Sequence, residues 1–348
     1  MDKNKKDDIV RLSASRIKTL GECSYYYYCR YHLKLPDKSN SGAKRGSVCH
    51  DLFELLTKSK WIGYAKEIYD SGCDLNNFDL VKRFIRAKCR KYELELLEAD
   101  KKTGKTNIDM IYDMVCVGLS SGFFPEENEE IIDSEYAFDI SDDELRFRIV
   151  GFIDKIVFDK KTKTIRISDY KSSKEKFKGE DLETNLQAMM YVLAANYLKN
   201  AKAIPDFKSA KAKFIFLRFP KNPYQELEFT EEQLDGFKHY LSYISDTISN
   251  FTEKDARADF ASEDPKRRWK CSTKSGWKCA YKDPFDYYGL YEDGKLIRTV
   301  FEDDWAQKDQ FIKLEKNQSW EKLTYAGCPA HNFAQKTGDN KKTDPFDF

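Results

Sequence analysis

Three β-patterned runs crowd residues 131–171: "IIDSEYAFDI", "LRFRIVGFIDKIVFD" and "KTIRISDYKSS". Only the polar connection "DKKTKT" joins the second run to the third, and so short a link predicts an antiparallel hairpin. Alternation sets Ile165, Ile167, Asp169 and Lys171 on one face of the third run. It sets Val150, Phe152, Asp154, Ile156 and Phe158 on one face of the second. Matching the apolar faces forces even-numbered residues to oppose odd-numbered ones; if the short turn sets Phe158 opposite Ile165, Asp154 stands opposite Asp169 and Phe152 opposite Lys171, and other registers move each partner by two residues.

Directly opposed residues have Cβ atoms about 4.5–5.5 Å apart. Two carboxylates that close repel unless a cation lies between them or one is protonated. Hard cations such as Mg²⁺ or Mn²⁺ take oxygen ligands and keep several waters, so few protein ligands suffice. Lys171 beside the acids would orient or deprotonate water, or offset charge on a phosphate. Two acids and a lysine at a strand end therefore suit phosphodiester hydrolysis. A hairpin edge with ordinary salt bridges fits the spacing alone about equally well.

Length and composition bound the rest. The 348 residues suffice for one elaborated domain or two, and 41 % hydrophobic with 34 % charged residues predicts a globular chain with a real core. No run of about 18 apolar residues occurs, so no membrane span is expected. The opening "MDKNKKDDIVRL" lacks an apolar segment, so no secretory signal is expected. Nine cysteines in that setting point to a reducing, cytoplasmic location. With 60 basic against 59 acidic residues, any nucleic-acid binding must come from local patches. Two stretches fit: "KSAKAKFIFLRFPK" and "PKRRWKCSTKSGWK".

The order of patterns is helices, antiparallel strands, then helix, strand, helix, which predicts an α/β (α+β) core. The expected divisions are a helical part at 1–130, a sheet-bearing core at 131–251, a basic, Cys- and aromatic-rich irregular region at 252–335, and a flexible tail at 336–348. A helix is expected over "GEDLETNLQAMMYVLAANYLKN", and the loop-forming "KKTGKT" lacks the upstream glycine of a phosphate-binding P-loop.

Four motifs in order resemble the PD-(D/E)XK nuclease superfamily, its RecB-like exonuclease branch in particular. They are similar also to CRISPR-adaptation and AddB-type nuclease domains. "GSVCHDLFE" resembles the branch's G-x-x-x-H motif and "GFIDKI" its G-x-[IV]-D motif. "ISDYKSS" resembles its D-Y-K motif and "LQAMMY" its Q-x-x-x-Y motif. "SASRIKTLGECSYYYYCRYHL" resembles its opening helix, so the likeness runs from residue 12 to 198. The resemblance implies a restriction-endonuclease-like core, a central mixed sheet flanked by helices. It implies Asp154, Asp169, His50 and the Tyr170 carbonyl as ligands of Mg²⁺ or Mn²⁺, with Lys171 as the catalytic lysine. Glu135 fits the acid of the preceding strand, in competition with Asp133, Asp139 and three nearby glutamates. Gln187 and Tyr191, sharing a helix face at i and i+4, would line the active site and the DNA strand, and Arg45 would meet a phosphate.

Relatives of this branch hold a [4Fe–4S] cluster on one early cysteine and three late ones. Cys23 matches the first, with Ser24 where the family has Pro. Cys271, Cys279 and Cys328 stand on the late side, but Lys282 occupies the place of a second Cys after Cys279. A cluster, a zinc ion and no metal all stay open, with Cys29 or His331 as alternative donors. Cys49, Cys73, Cys89 and Cys116 read as core.

The expected function is a metal-dependent DNA exonuclease or end-processing nuclease in recombination, repair or replication, acting on DNA with a free end or single strand. The alternatives are a non-catalytic nucleic-acid-binding subunit and a structure-specific endonuclease with the same site. The tail "TDPFDF", with Phe346 and Phe348, reads as a docking peptide for a replication or recombination partner or as a plain disordered end.

Overall fold

The computed structural model describes residues 9–100, 103–273 and 278–332. The tail from 336 onward and the middle of the second basic stretch lie outside them. In chain order the elements begin with β1 (Arg11–Leu12), α1 (Ala14–Glu22), α2 (Ser24–Tyr27), α3 (Ser41–Thr57), α4 (Ile62–Asp70), α5 (Asp79–Lys91) and α6 (Asn107–Leu119). Three strands follow: β2 (Glu129–Asp142), β3 (Phe147–Asp159) and β4 (Thr164–Lys171). Next come α7 (Leu186–Asn200), β5 (Ser209–Phe216), β6 (Tyr224–Leu227) and α8 (Glu231–Ser249). The remainder holds α9 (Glu253–Ala258), β7 (Phe285–Glu292), β8 (Lys295–Phe301), α10 (Glu302–Gln307), β9 (Gln318–Tyr325) and α11 (Pro329–Asn332).

The chain divides into two compact units, Met1–Ala14 with Ser39–Ser249, and Ser15–Lys38 with Asn250–Phe348. This differs from the expected divisions at 1–130, 131–251 and 252–335. Helices and sheet of the first unit share one core: Val48, Leu52 and Phe53 of α3 and Ile111 and Val115 of α6 cluster with Tyr170 of β4 and Ile215 of β5. The segment 15–38 instead packs with late residues, Cys23, Tyr25 and Cys29 against Phe260, Tyr281 and Tyr325.

In the first unit the sheet runs β1-β3-β4-β5-β6, with β2 on the other edge of β3. The β3–β4 hairpin adopts the expected register, Phe158 opposite Ile165. Its turn is closed by Asp159 Oδ1, which accepts the backbone N–H groups of Lys161 at 2.8 Å and Thr162 at 3.1 Å. β4 and β5 are parallel, which requires a crossover, and α7 supplies it. That helix starts at Leu186, later than expected, because the Asn185 side chain caps it by accepting the Ala188 N–H at 2.9 Å. Ala188 to Ala195 are all buried, as an apolar-all-round helix requires.

One feature of the sheet positions the site. β1 pairs with β3 only at Arg148 and Ile149, and β4 only from Lys155 to Asp159. Between them, no strand among the described residues pairs with residues 150–154 of β3 on that edge. Of the "KSAKAKFIFLRFPK" stretch, Ser209–Phe216 form β5, an interior strand whose Lys213 is buried and whose Lys211 pairs with Glu228, while Lys208 and Lys221 on either side of it are exposed.

The second unit carries a three-stranded antiparallel sheet in the order β8-β7-β9, within the region expected to be irregular. Tyr25 and Tyr27 are buried in α2, while Tyr26 and Tyr28 are half-buried.

Candidate active site

At the gap in the sheet, β3 and β4 part. Their register would continue to Asp154 opposite Asp169, but pairing stops at Lys155 opposite Ser168. Asp154 takes over instead: its Oδ2 accepts the Tyr170 backbone N–H at 2.7 Å, and its Oδ1 lies 3.0 Å from His50 Nδ1. His50 arrives on α3, whose close approach depends on Gly46. A Cβ there would sit 2.6 Å from Ser172 Oγ, just past Lys171. The rings of Phe53 and Tyr170, stacked with centroids 4.2 Å apart, fix α3 against β4.

Glu135 completes the cluster. Ser134 pairs with Lys155 and Tyr136 with Ile153, so Glu135 stands opposite Asp154 with a φ of +53°. His50, Glu135 and Asp154 each offer a ligand atom within 4.8 Å of the others. The competing acids are otherwise engaged. Asp139 binds Arg148 and Arg11, and Asp133 accepts the Ser134 N–H.

Asp169 is 3 % exposed. Its Oδ1 accepts from the Tyr191 hydroxyl at 2.7 Å and from Gln187 Nε2 at 3.0 Å. Its Oδ2 is buried and receives no aligned hydrogen bond, although Lys171 Nζ is 2.6 Å away. Lys171 also donates to Gln187 Oε1 at 2.6 Å. Gln187 and Tyr191, expected to line the active site and the DNA strand, hold the acid and the lysine. Arg45, expected on a phosphate, is 8 % exposed and donates to Asn107 Oδ1, because its side of α3 faces α6.

Charge is tightly packed here. Burial pushes the Glu135 carboxyl up, helped by the Asp154 charge, to about 7. Burial raises Asp169 as well, with Asp154 adding to it and Lys171 opposing. Burial alone would lower His50, but the Asp154 charge and hydrogen bond outweigh it and carry the imidazole to about 9. Two crowded carboxyls whose proton affinity is raised, beside a His, Glu and Asp donor set within 4.8 Å of one another, fit a divalent cation.

The sequence profile of the PD-(D/E)XK nuclease superfamily matches residues 11–283. The chain belongs to this superfamily. It is 23 % identical over 245 residues to one of the subunits of the ATP-dependent helicase/deoxyribonuclease of Streptococcus agalactiae serotype III (strain NEM316). That match covers 68 % of this chain and 21 % of the relative, about a fifth of its length. A solved Eubacterium rectale structure named "Putative exonuclease" shares 10 % identity at a TM-score of 0.41, covering 78 % of this chain and 92 % of that one. Superfamily members use divalent metals, and the cluster at His50, Glu135 and Asp154 is the candidate site for one. No helix among the described residues is long and apolar enough to cross a membrane.

In the second unit, Cys23, Cys271, Cys279 and Cys328 line one small apolar cavity, with Tyr25, Phe260 and His331. Cys23 also caps α2, its Sγ accepting the Tyr26 N–H at 3.5 Å. All nine cysteines are free thiols. Burial pushes Cys279 up to about 12 and Cys328 to about 11, and neighbouring cysteines of the set add to both. Among the described residues, no three of these sulfurs lie within 4.8 Å of one another. Zn–S bonds of about 2.3 Å would bring tetrahedral sulfurs to about 3.8 Å, so the set is more open than a closed zinc site. Four thiols around one dry cavity fit a larger sulfur-ligated group. Cys29 is buried against the Tyr325 hydroxyl and does not line the cavity. Cys49 and Cys89 are fully buried, and Cys73 and Cys116 are half-buried, with Cys116 Sγ donating to the Cys73 carbonyl.

Proposed function

We propose that the chain is a metal-dependent DNA nuclease acting at strand ends, an exonuclease or end-processing enzyme of recombination, repair or replication. The observation that carries this reading is the convergence of His50, Glu135 and Asp154 at the sheet gap, beside the Asp169–Lys171 pair. DNA as substrate agrees with the deoxyribonuclease named in the streptococcal relative.

His50, Glu135, Asp154 and the Tyr170 carbonyl, with Asp169 completing the set, would hold Mg²⁺ or Mn²⁺, which would supply Lewis acidity and lower the pKa of a bound water. The imidazole donor favours Mn²⁺ over Mg²⁺. Tyr191 and Gln187 keep Asp169 in one orientation through its Oδ1, while its Oδ2 lies 2.6 Å from Lys171 Nζ. Lys171, tethered to Gln187, orients the attacking water and offsets charge gathering on the phosphate oxygens. End-labelled linear DNA and a covalently closed circle, each with Mn²⁺, Mg²⁺ or EDTA, test the reading beside Lys171→Ala and Asp169→Asn. Metal-dependent loss of the linear substrate alone, absent in both variants, is expected. Cutting of the circle would make it an endonuclease, and binding without cleavage would leave a scaffold.

Cys23, Cys271, Cys279 and Cys328 of the second unit are proposed to hold a [4Fe–4S] cluster. The late position of Cys271, Cys279 and Cys328 and the cavity they share with Cys23 support this, and the cluster would tie residues 15–38 to the C-terminal region. Protein purified without oxygen should carry iron and sulfide with visible charge-transfer absorbance, and Cys279→Ser should lose both. Zinc at one equivalent, or no metal with an unchanged melting curve for Cys279→Ser, would overturn it.

A further inference from the structure

Phe152 is 64 % exposed, although phenylalanine is ordinarily buried and its neighbour Ile153 is completely so. The exposure follows from the sheet. Its partner on β2 is Ala137, itself exposed and too small to cover a ring. On the other edge it stands in the gap between β1 and β4. Two residues from Asp154 on one strand, it projects from the same face, about 7 Å along β3.

Its position is fixed through the backbone. The Phe152 carbonyl accepts the Tyr191 hydroxyl at 3.0 Å, and that same hydroxyl holds Asp169 Oδ1 at 2.7 Å. An exposed aromatic ring is therefore tied, through one side chain, to an acid of the candidate active site.

Resting on the nuclease reading above, we propose that Phe152 is the stacking platform for an unpaired nucleobase next to the phosphate held at Asp154 and Asp169. Every base has a π-face, so such a platform reads no sequence. Inside a duplex both faces of a base are covered by its neighbours. A base that stacks on Phe152 must come from a single strand or a frayed end. The ring then selects unpaired DNA, and it does so by binding rather than by chemistry.

Binding without turnover tests this independently of cleavage. Single-stranded oligonucleotides carrying 2-aminopurine at successive positions from one end are titrated with wild type, Phe152→Ala and Phe152→Trp in Ca²⁺. A blunt duplex and an oligonucleotide abasic at the responding position serve as comparisons. One position should lose fluorescence on binding wild type and Phe152→Trp but not Phe152→Ala. Phe152→Ala should bind the single strand about 10-fold more weakly, and the duplex and abasic strand unchanged. Equal weakening on the abasic strand, or unchanged single-strand affinity and quenching, would overturn the proposal. If wild type cleaves nothing in Mn²⁺ or Mg²⁺ yet the stacking signal appears and depends on Phe152, the nuclease reading fails while the platform stands.

Discussion

Asp154 Oδ2 accepts the Tyr170 backbone N–H at 2.7 Å, in the place where a bond between β3 and β4 would otherwise run. One carboxylate thus ends a β-ladder and presents its second oxygen to His50. The two roles are separable. Asp154→Ala leaves the Tyr170 N–H without its acceptor and should cost about 1–3 kcal/mol of stability as well as cleavage. Asp154→Asn keeps an acceptor oxygen, so most of that stability should remain while cleavage falls at least about 100-fold. Urea unfolding and a linear-DNA assay on both variants check the split. Equal stability loss in the two would mean that the backbone bond contributes nothing.

Tyr191→Phe removes one donor shared by Asp169 and the Phe152 carbonyl. The expected loss is about 1–3 kcal/mol in stability, the cost of a buried acceptor left unpaired. If Tyr191 holds the acid rather than the DNA, kcat should fall while KM for DNA stays within about twofold. A raised KM with kcat intact would return Tyr191 to the DNA contact expected from the helix face.

The short turn and two apolar faces narrowed the hairpin register to choices two residues apart, and the structure takes the one with Phe158 opposite Ile165, whose extension carries Asp154 to Asp169. The parting of the strands was not legible, since it depends on a side chain replacing a backbone acceptor. Spacing put Gln187 and Tyr191 on one face of α7 but could not say what that face meets. Arg45 shows the same limit: helical spacing places it a turn before His50 without revealing the cover of α6. Glu135 was one acid among several until β2 paired with β3. The β7–β8 hairpin did leave a signal, Asp293-Gly294 between strand-like runs, both at positive φ as a tight hairpin turn requires.

Arg45 sits buried on α3, its guanidinium bonded to Asn107. Burial lowers its pKa, and the nearby Arg218 adds to that. Arg45→Ala should therefore destabilise the protein by about 1–3 kcal/mol, because Asn107 Oδ1 loses its donor. The salt dependence of DNA binding should not change, whereas loss of a phosphate contact would reduce its slope by about one. Denaturant unfolding and salt titrations of a DNA-binding isotherm read the two effects apart.

Lys213 is buried on β5, its Nζ 4.4 Å from the centre of the Tyr224 ring. Burial lowers its pKa, and the charge of Arg166 on β4 adds to this, while Glu226 on β6 and Glu126 oppose. Lys155 on β3 is a further cation whose own pKa falls through burial and the Lys213 charge. A base whose folded pKa lies below its unfolded value of 10.5 is protonated in the unfolded chain before it is in the folded one. Stability must then rise with pH from the lowered value up to 10.5, at up to about 1.4 kcal/mol per pH unit for one proton. At neutral pH the buried charge is a cost. Lys213→Met should flatten the alkaline rise and leave the variant at least as stable as wild type at pH 7, because the methionine chain refills the same space without a charge. Urea midpoints at neutral and alkaline pH decide it. A variant that loses stability at both pH values, with the slope unchanged, would show that the ammonium is stabilised by its acidic neighbours rather than strained by burial.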